Sequence, residues 1–251
     1  MIKRGLKKAQ VAVFVIIAIV VLVVVVVLFF SGKDLDSNSH IPAEVRPIYS
    51  YVNDCVDSIG QEAVYYIGQT GGYFDVPEPS YFNVAYYLYG GENHMPSKEF
   101  VEEQLEKYVN FALYFCTANF IDFEDFEVIQ GNISSKVVIK DEEVIFEVYY
   151  PLSISKGDAS YTLNDFEVAV PVKLGVMYDA VEEFIAEQIE DRTAVCASCL
   201  YDIGQQYELD FHVLDTNENE SIMFIVRDEE LKLYNEDYLF YFLNKLEEEV
   251  E

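Results

Sequence analysis

The chain has 251 residues, 45 of them acidic and 16 basic, for a formal charge of −29 at pH 7; half are hydrophobic and 15% are aromatic, with no tryptophan. That apolar content excludes an intrinsically disordered chain, and four cysteines in this length exclude a disulfide-dense miniprotein. A surface this acidic repels phosphate, which excludes nucleic acid as a partner.

Residues 1–10 form a basic leader carrying Lys3, Arg4, Lys7 and Lys8. Residues 11–30 contain no charged or polar side chain. At about 1.5 Å rise per residue such a run spans roughly 30 Å, the thickness of bilayer hydrocarbon. Valine is a mediocre helix former in water, but lipid offers the backbone no other partner, so the solvent enforces the helix. A cleaved secretory signal has an apolar region of about 7–15 residues followed by a small-x-small site. This run is longer and ends in Leu28, Phe29 and Phe30, which predicts a retained transmembrane helix. The four cations before it place the N-terminus in the cytoplasm. Everything after it is then extracytoplasmic, as a single-pass protein of the cell membrane. Removing the leader cations from the count leaves 12 basic residues against 45 acidic ones, a charge of −33 for the outer part.

Lys8-Ala9-Gln10-Val11, a basic and a small residue ahead of a long apolar run, resembles the archaeal class III (type IV pilin-like) signal. The resemblance implies processing between Ala9 and Gln10 by a prepilin-peptidase-type enzyme. More broadly the chain resembles a group of uncharacterised archaeal single-pass membrane proteins. It does so through Pro47-Ile48-Tyr49-Ser50-Tyr51-Val52, Gln69-Thr70-Gly71-Gly72-Tyr73 and Met95-Pro96-Ser97.

Residues 31–41 are short and polar and read as a linker. Residues 42–251 fall within the size of one extracytoplasmic domain. Pro42 suits a helix start. Behind it Val45, Ile48, Tyr49, Val52, Cys55, Val56, Ile59, Ala63 and Tyr66 recur at threes and fours, and Gly68 to Gly72 end the pattern. After an aromatic stretch from Tyr73 to Tyr89, a second helix opens behind Pro96 with Ser97 as N-cap. Its stripe is Val101, Leu105, Tyr108, Val109, Ala112, Phe115 and Cys116. From Ile121 to Val172 the period becomes two. Turn residues at Gln130-Gly131-Asn132, Lys140-Asp141-Glu142 and Lys156-Gly157-Asp158 divide an antiparallel meander of about four strands. A third helix runs from about Leu174 to Asp191, and a short helical piece covers Cys199 to Tyr207. Glu208–Leu214 and Ser221–Arg227 pair as a hairpin, and the segment from Glu236 onward is amphipathic and acid-tipped. Runs of helices and runs of strands indicate an α+β fold.

An oxidising compartment lets disulfides persist. Four cysteines allow three pairings. Cys55 and Cys116 each lie on the apolar stripe of a long helix, which favours a Cys55–Cys116 bridge and leaves Cys196 with Cys199. The Cys196-Ala-Ser-Cys199 spacing also fits a thioredoxin-like motif or half of a zinc site. Asn132 and Asn219 begin N-glycosylation sequons. Asp122, Glu124, Asp125 and Glu127 crowd four carboxylates into six residues, an acid/base pair if one were buried and otherwise a solvated face. Asp215 to Glu220 begins like a calcium loop but lacks the glycine and the terminal glutamate of one. His40, His94 and His212 share no ligand spacing, so no metal and no cofactor are assigned. The aromatic stretch is either core or a surface for sugars or a partner, with Tyr73, Phe74, Tyr81, Tyr86 and Tyr87 as its candidate binding residues.

These features point first to a membrane-anchored cell-surface protein, a non-catalytic binding or structural module of the archaeal envelope. Its partners are the lipid bilayer and other envelope proteins or glycans, with the oligomeric state open. A pilin-like subunit processed after Ala9 is the alternative, and an extracytoplasmic hydrolase using paired carboxylates the second.

Overall fold

Helix α1, Arg46–Thr70, forms where apolar residues repeat at threes and fours for six turns, and its buried side is Ile48, Val52, Cys55, Val56, Ile59, Ala63, Val64 and Ile67. Pro47 sits in its first turn, where a missing N–H costs nothing. The helix therefore starts one turn later than Pro42 suggested. A computed structural model of the chain describes residues 41–216 and 220–247. The leader, the apolar run 11–30 and most of the linker lie outside those residues. Among the described residues no helix is long and apolar enough to cross a membrane.

The fold is α+β. Two sheets and three further helices pack around α1 in one unit that begins at Glu44. The first sheet has strands β1 (Ser80–Tyr81), β2 (Val84–Tyr89), β3 (Glu92–Asn93), β8 (Asp210–Asp215), β9 (Ser221–Leu233) and β10 (Glu236–Lys245). Its order is β1-β2-β10-β9-β8, with β3 beside β2. The β2–β10 pair is parallel and the others are antiparallel. The amphipathic C-terminal segment is thus an interior strand, with Tyr238, Phe240 and Phe242 buried along one face.

The second sheet holds β4 (Glu127–Gln130), β5 (Ser134–Ile139), β6 (Glu143–Lys156) and β7 (Ala159–Pro171). It departs from a simple meander. Both β4 and β5 pair with β6, at Leu152–Ser155 and Val144–Tyr149 respectively, while β7 runs along the other edge. So β4 and β5 lie end to end on one edge, and Gly131 is a joint within an edge and not a hairpin tip. Pro151 breaks the register of β6 at that level, and its carbonyl accepts the Gly131 N–H at 2.7 Å. A Cβ on Gly131 would stand 2.5 Å from the proline ring, so only glycine fits.

Helix α2, Lys98–Cys116, packs on α1 and on β5. Ser97 accepts the Phe100 N–H as N-cap. On its far side Glu102 and Glu106 accept the N–H groups of Ile139 and Val137 at 2.8 and 3.1 Å, which closes the free edge of β5. Helices α3 (Leu174–Glu190) and α4 (Ala197–Tyr207) pack on one another, and Phe184 of α3 meets Phe224 and Phe242 of the first sheet.

A buried charge pair ties the second sheet's exit to β9. Lys173, which leads into α3, is 7% exposed and lies 2.5 Å from Glu230 and 3.8 Å from the fully buried Asp228. Asp228 also accepts the Glu230 and Leu231 N–H groups where β9 bulges. Removing one partner of such a pair strands the other charge, whereas an exposed partner contributes little. Asp228→Ala should lower unfolding free energy by about 3–5 kcal/mol. Glu230→Ala should lower it by about 1 kcal/mol or less, both read from denaturant melts.

Candidate functional site

The two thiols on the helical stripes meet. Cys55 and Cys116 are joined across 61 residues, and Cys196 and Cys199 are joined locally. In the chain-entropy description the first bridge stabilises by about 4 kcal/mol and the second by about 2 kcal/mol. The first also fixes the C-terminal turns of α2 against α1, where Tyr51 donates to the Cys116 carbonyl at 2.8 Å.

The aromatic stretch divides between core and surface. Tyr87 belongs to the core: it is fully buried, stacks on Phe242 at 5.0 Å and donates to the Gly71 carbonyl at 3.0 Å. Burial pushes its phenol well above the usual tyrosine range. Tyr86 is half-buried and donates to Ser221 at 2.9 Å. Tyr81 lies against Phe82 at a two-residue turn, where Phe82 and Asn83 both take positive φ, the geometry of a tight hairpin. Tyr73 donates to the His94 carbonyl at 3.2 Å and rests on Phe100. Phe74, anchored through its N–H to Gln104, turns its ring onto Tyr66, Tyr108 and Phe111.

From Phe74 the aromatic surface continues along α2 through residues that the sequence reading placed elsewhere or did not single out. Phe111, Tyr114 and Phe115 are 61%, 52% and 63% exposed, with Phe111–Phe115 centroids 5.2 Å apart. The helical periodicity puts Phe115 on the buried stripe, but the buried line of α2 is Val101, Leu105, Val109 and Leu113, each four residues on. That line leaves Tyr108, Phe111 and Phe115, spaced three and four apart, on a different face. This second apolar face within one helix is the sequence signal that would have found the site. Tyr108 is held up from its ordinary pKa by burial first and then by its hydrogen bond to Glu62. The result is a contiguous set of rings, Tyr66, Phe74, Tyr108, Phe111, Tyr114 and Phe115, pinned by the Cys55–Cys116 bridge. Its chemistry suits stacking on sugar faces or docking aromatic and aliphatic side chains.

The other candidates are dispersed. Asp122, Glu124, Asp125 and Glu127 are all exposed, and Asp125 faces Lys156 at 3.8 Å. Asn132 is exposed between β4 and β5, which leaves its sequon accessible. Ala9, Gln10, His40 and Asn219 lie outside the described residues. Among the described residues no three His, Cys, Asp or Glu side chains are grouped to hold a metal ion. Comparison with protein-family models, with curated proteins and with solved structures finds no match.

Phe111→Ser and Phe115→Ser should change stability by less than about 1 kcal/mol, since both rings are already wet. Tyr87→Ala should cost about 3–5 kcal/mol. Tyr108 gives a pH test. Its raised folded pKa means that the unfolded chain loses this proton first. The stability it contributes is complete below about pH 10 and is lost as pH climbs toward the folded value. Denaturant melts from pH 9 to 12 should fall less steeply for Tyr108→Phe than for the natural chain.

Proposed function

We propose that the protein is a membrane-anchored cell-surface module of the archaeal envelope, held by residues 11–30 and binding through the aromatic surface of α2 and Phe74. The observation that carries the reading is that surface. Exposed rings of this number are costly to leave in water, and clustered exposed aromatics mark interaction sites. Two features agree with its placement. The Cys55–Cys116 bridge suits the oxidising side of a membrane. The four leader cations, against the single Lys33 just beyond the apolar run, favour a cytoplasmic N-terminus. The partner class is an envelope glycan or protein, met by stacking and apolar contact and not by charge.

Protease treatment of intact cells tests the location. A tag on the N-terminus should remain protected in the membrane pellet while residues beyond the linker are shaved off. Full-length protein recovered in the soluble cytosolic fraction would refute the anchor. N-terminal sequencing of the mature chain separates this reading from a processed pilin-like subunit, which would start at Gln10. Binding is tested by retention on isolated envelopes. A Phe111→Ser/Phe115→Ser chain should lose at least tenfold in retention, roughly 1.4 kcal/mol or more, with its melt unchanged. Retention equal to the natural chain would refute the aromatic site.

A further inference from the structure

The Cys196–Cys199 bridge has a setting unlike that of its partner in the core. Cys55 is 4% exposed and joins two long helices. Cys196 and Cys199 are both partly exposed and join residues that the first turn of α4 already holds together. The segment ahead of them is fixed by other means. Gln188, 1% exposed, donates through its side-chain amide to the carbonyls of Asp191 and Ala194 at 2.6 and 2.8 Å. Thr193 donates through its N–H and hydroxyl to the Asp191 carboxylate. Opening the bridge therefore leaves the scaffold around it standing.

The sulfurs differ in their surroundings. Cys196 is the N-cap of α4, and its Sγ accepts the Cys199 N–H at 3.3 Å. The Ser198 hydroxyl lies 3.7 Å from the same sulfur on the exposed side. The residues between the cysteines, Ala197 and Ser198, are small and exposed and leave an approach open. A thiolate on Cys196 would receive the N–H and the positive end of an 11-residue helix, the arrangement that makes a cysteine reactive.

We propose that Cys196–Cys199 is a thiol–disulfide exchange site whose co-reactant is a dithiol, as on a paired-cysteine segment of another polypeptide. A thiolate of the co-reactant attacks the Cys196 sulfur. The Cys196–Cys199 bond breaks, and Cys199 leaves with the electron pair and takes up a proton. The second thiolate of the co-reactant then attacks its own sulfur in the mixed disulfide and releases Cys196 as a thiolate, which the Cys199 N–H receives. The protein gains two electrons and one proton, which rests on Cys199 while Cys196 stays a thiolate; the co-reactant becomes a disulfide, and the reverse sequence reduces one. This chemistry goes beyond the surface-binding reading and holds wherever that binding is directed.

The test uses the full chain in its own membranes with dithiothreitol as the dithiol probe, followed by maleimide trapping and peptide mass mapping. Under native conditions Cys196–Cys199 should open at least about 100-fold faster than Cys55–Cys116. The Cys199→Ser chain should capture glutathione from its disulfide at Cys196 at least about tenfold faster than the Cys196→Ser chain captures it at Cys199. The Cys196→Ser/Cys199→Ser chain should still melt cooperatively. Opening of both bridges together only on unfolding would overturn the proposal. So would faster capture at Cys199, or loss of cooperative melting in the double variant, which would make the bridge a structural staple.

Discussion

Helix α1 buries its side chains against two sheets that share no strand, and that double burden sets the architecture. At about 1.5 Å per residue its 25 residues span roughly 37 Å. The stretch from its start to Gly60 lies on the second sheet, with Tyr49 stacked on Phe166 and Gly60 against Phe146 and Val170. The rest lies on the first sheet, where Tyr238 donates to the Val64 carbonyl. A Cβ on Gly68 would stand 2.6 Å from the Leu239 carbonyl, so helix and strand approach closer than any other residue permits. The disulfide then carries the constraint sideways to α2. The aromatic face of α2 is held in place by the same helix that joins the sheets.

What was legible in the sequence follows from the range of the interactions involved. Helices α1, α2 and α3 declare themselves because their burial repeats every third or fourth residue within one segment. Strands β6 and β7 do so through alternation, from Val144 to Ile154 and from Phe166 to Val170. The Cys55–Cys116 bridge was within reach because both thiols lie on those periodic stripes. The parallel pairing of β2 with β10 was not. It joins segments about 155 residues apart, has no turn to announce it, and β2 buries residues in pairs instead of alternately. Asn244 makes the join through a side-chain hydrogen bond to the Leu88 N–H, which no local pattern encodes.

The functional surface was half legible for a related reason. Aromatic content draws attention to Tyr73–Tyr89, but composition does not say which rings face in. Tyr87 goes to the core because β2 is an inner strand, covered on the face that Tyr87 shares with Phe242. Phe111 and Phe115 stay outside because one side of α2 is already spent on α1 and β5. A helix with two apolar faces and one covered is the physical description of the site. It becomes visible only when the partner elements are known.

The heavy acidity also divides into parts with different work. Some carboxylates are solvated, as at Asp122 to Glu127, and serve hydration and self-repulsion. Others finish the fold. Glu102 and Glu106 receive the amides that β5 would otherwise offer to any passing strand, an edge closed by side chains and not by another backbone. The edge strand β8 is more open among the described residues: His212, Val213 and Leu214 are exposed. It carries Asp210 and Asp215 at its two ends, and Asp210 is locked to Arg227 of the neighbouring strand. Placing charge at the open edges and leaving the aromatic face of α2 uncharged gives one surface two behaviours. Strand addition is discouraged where backbone is free, and apolar contact remains available where rings are exposed.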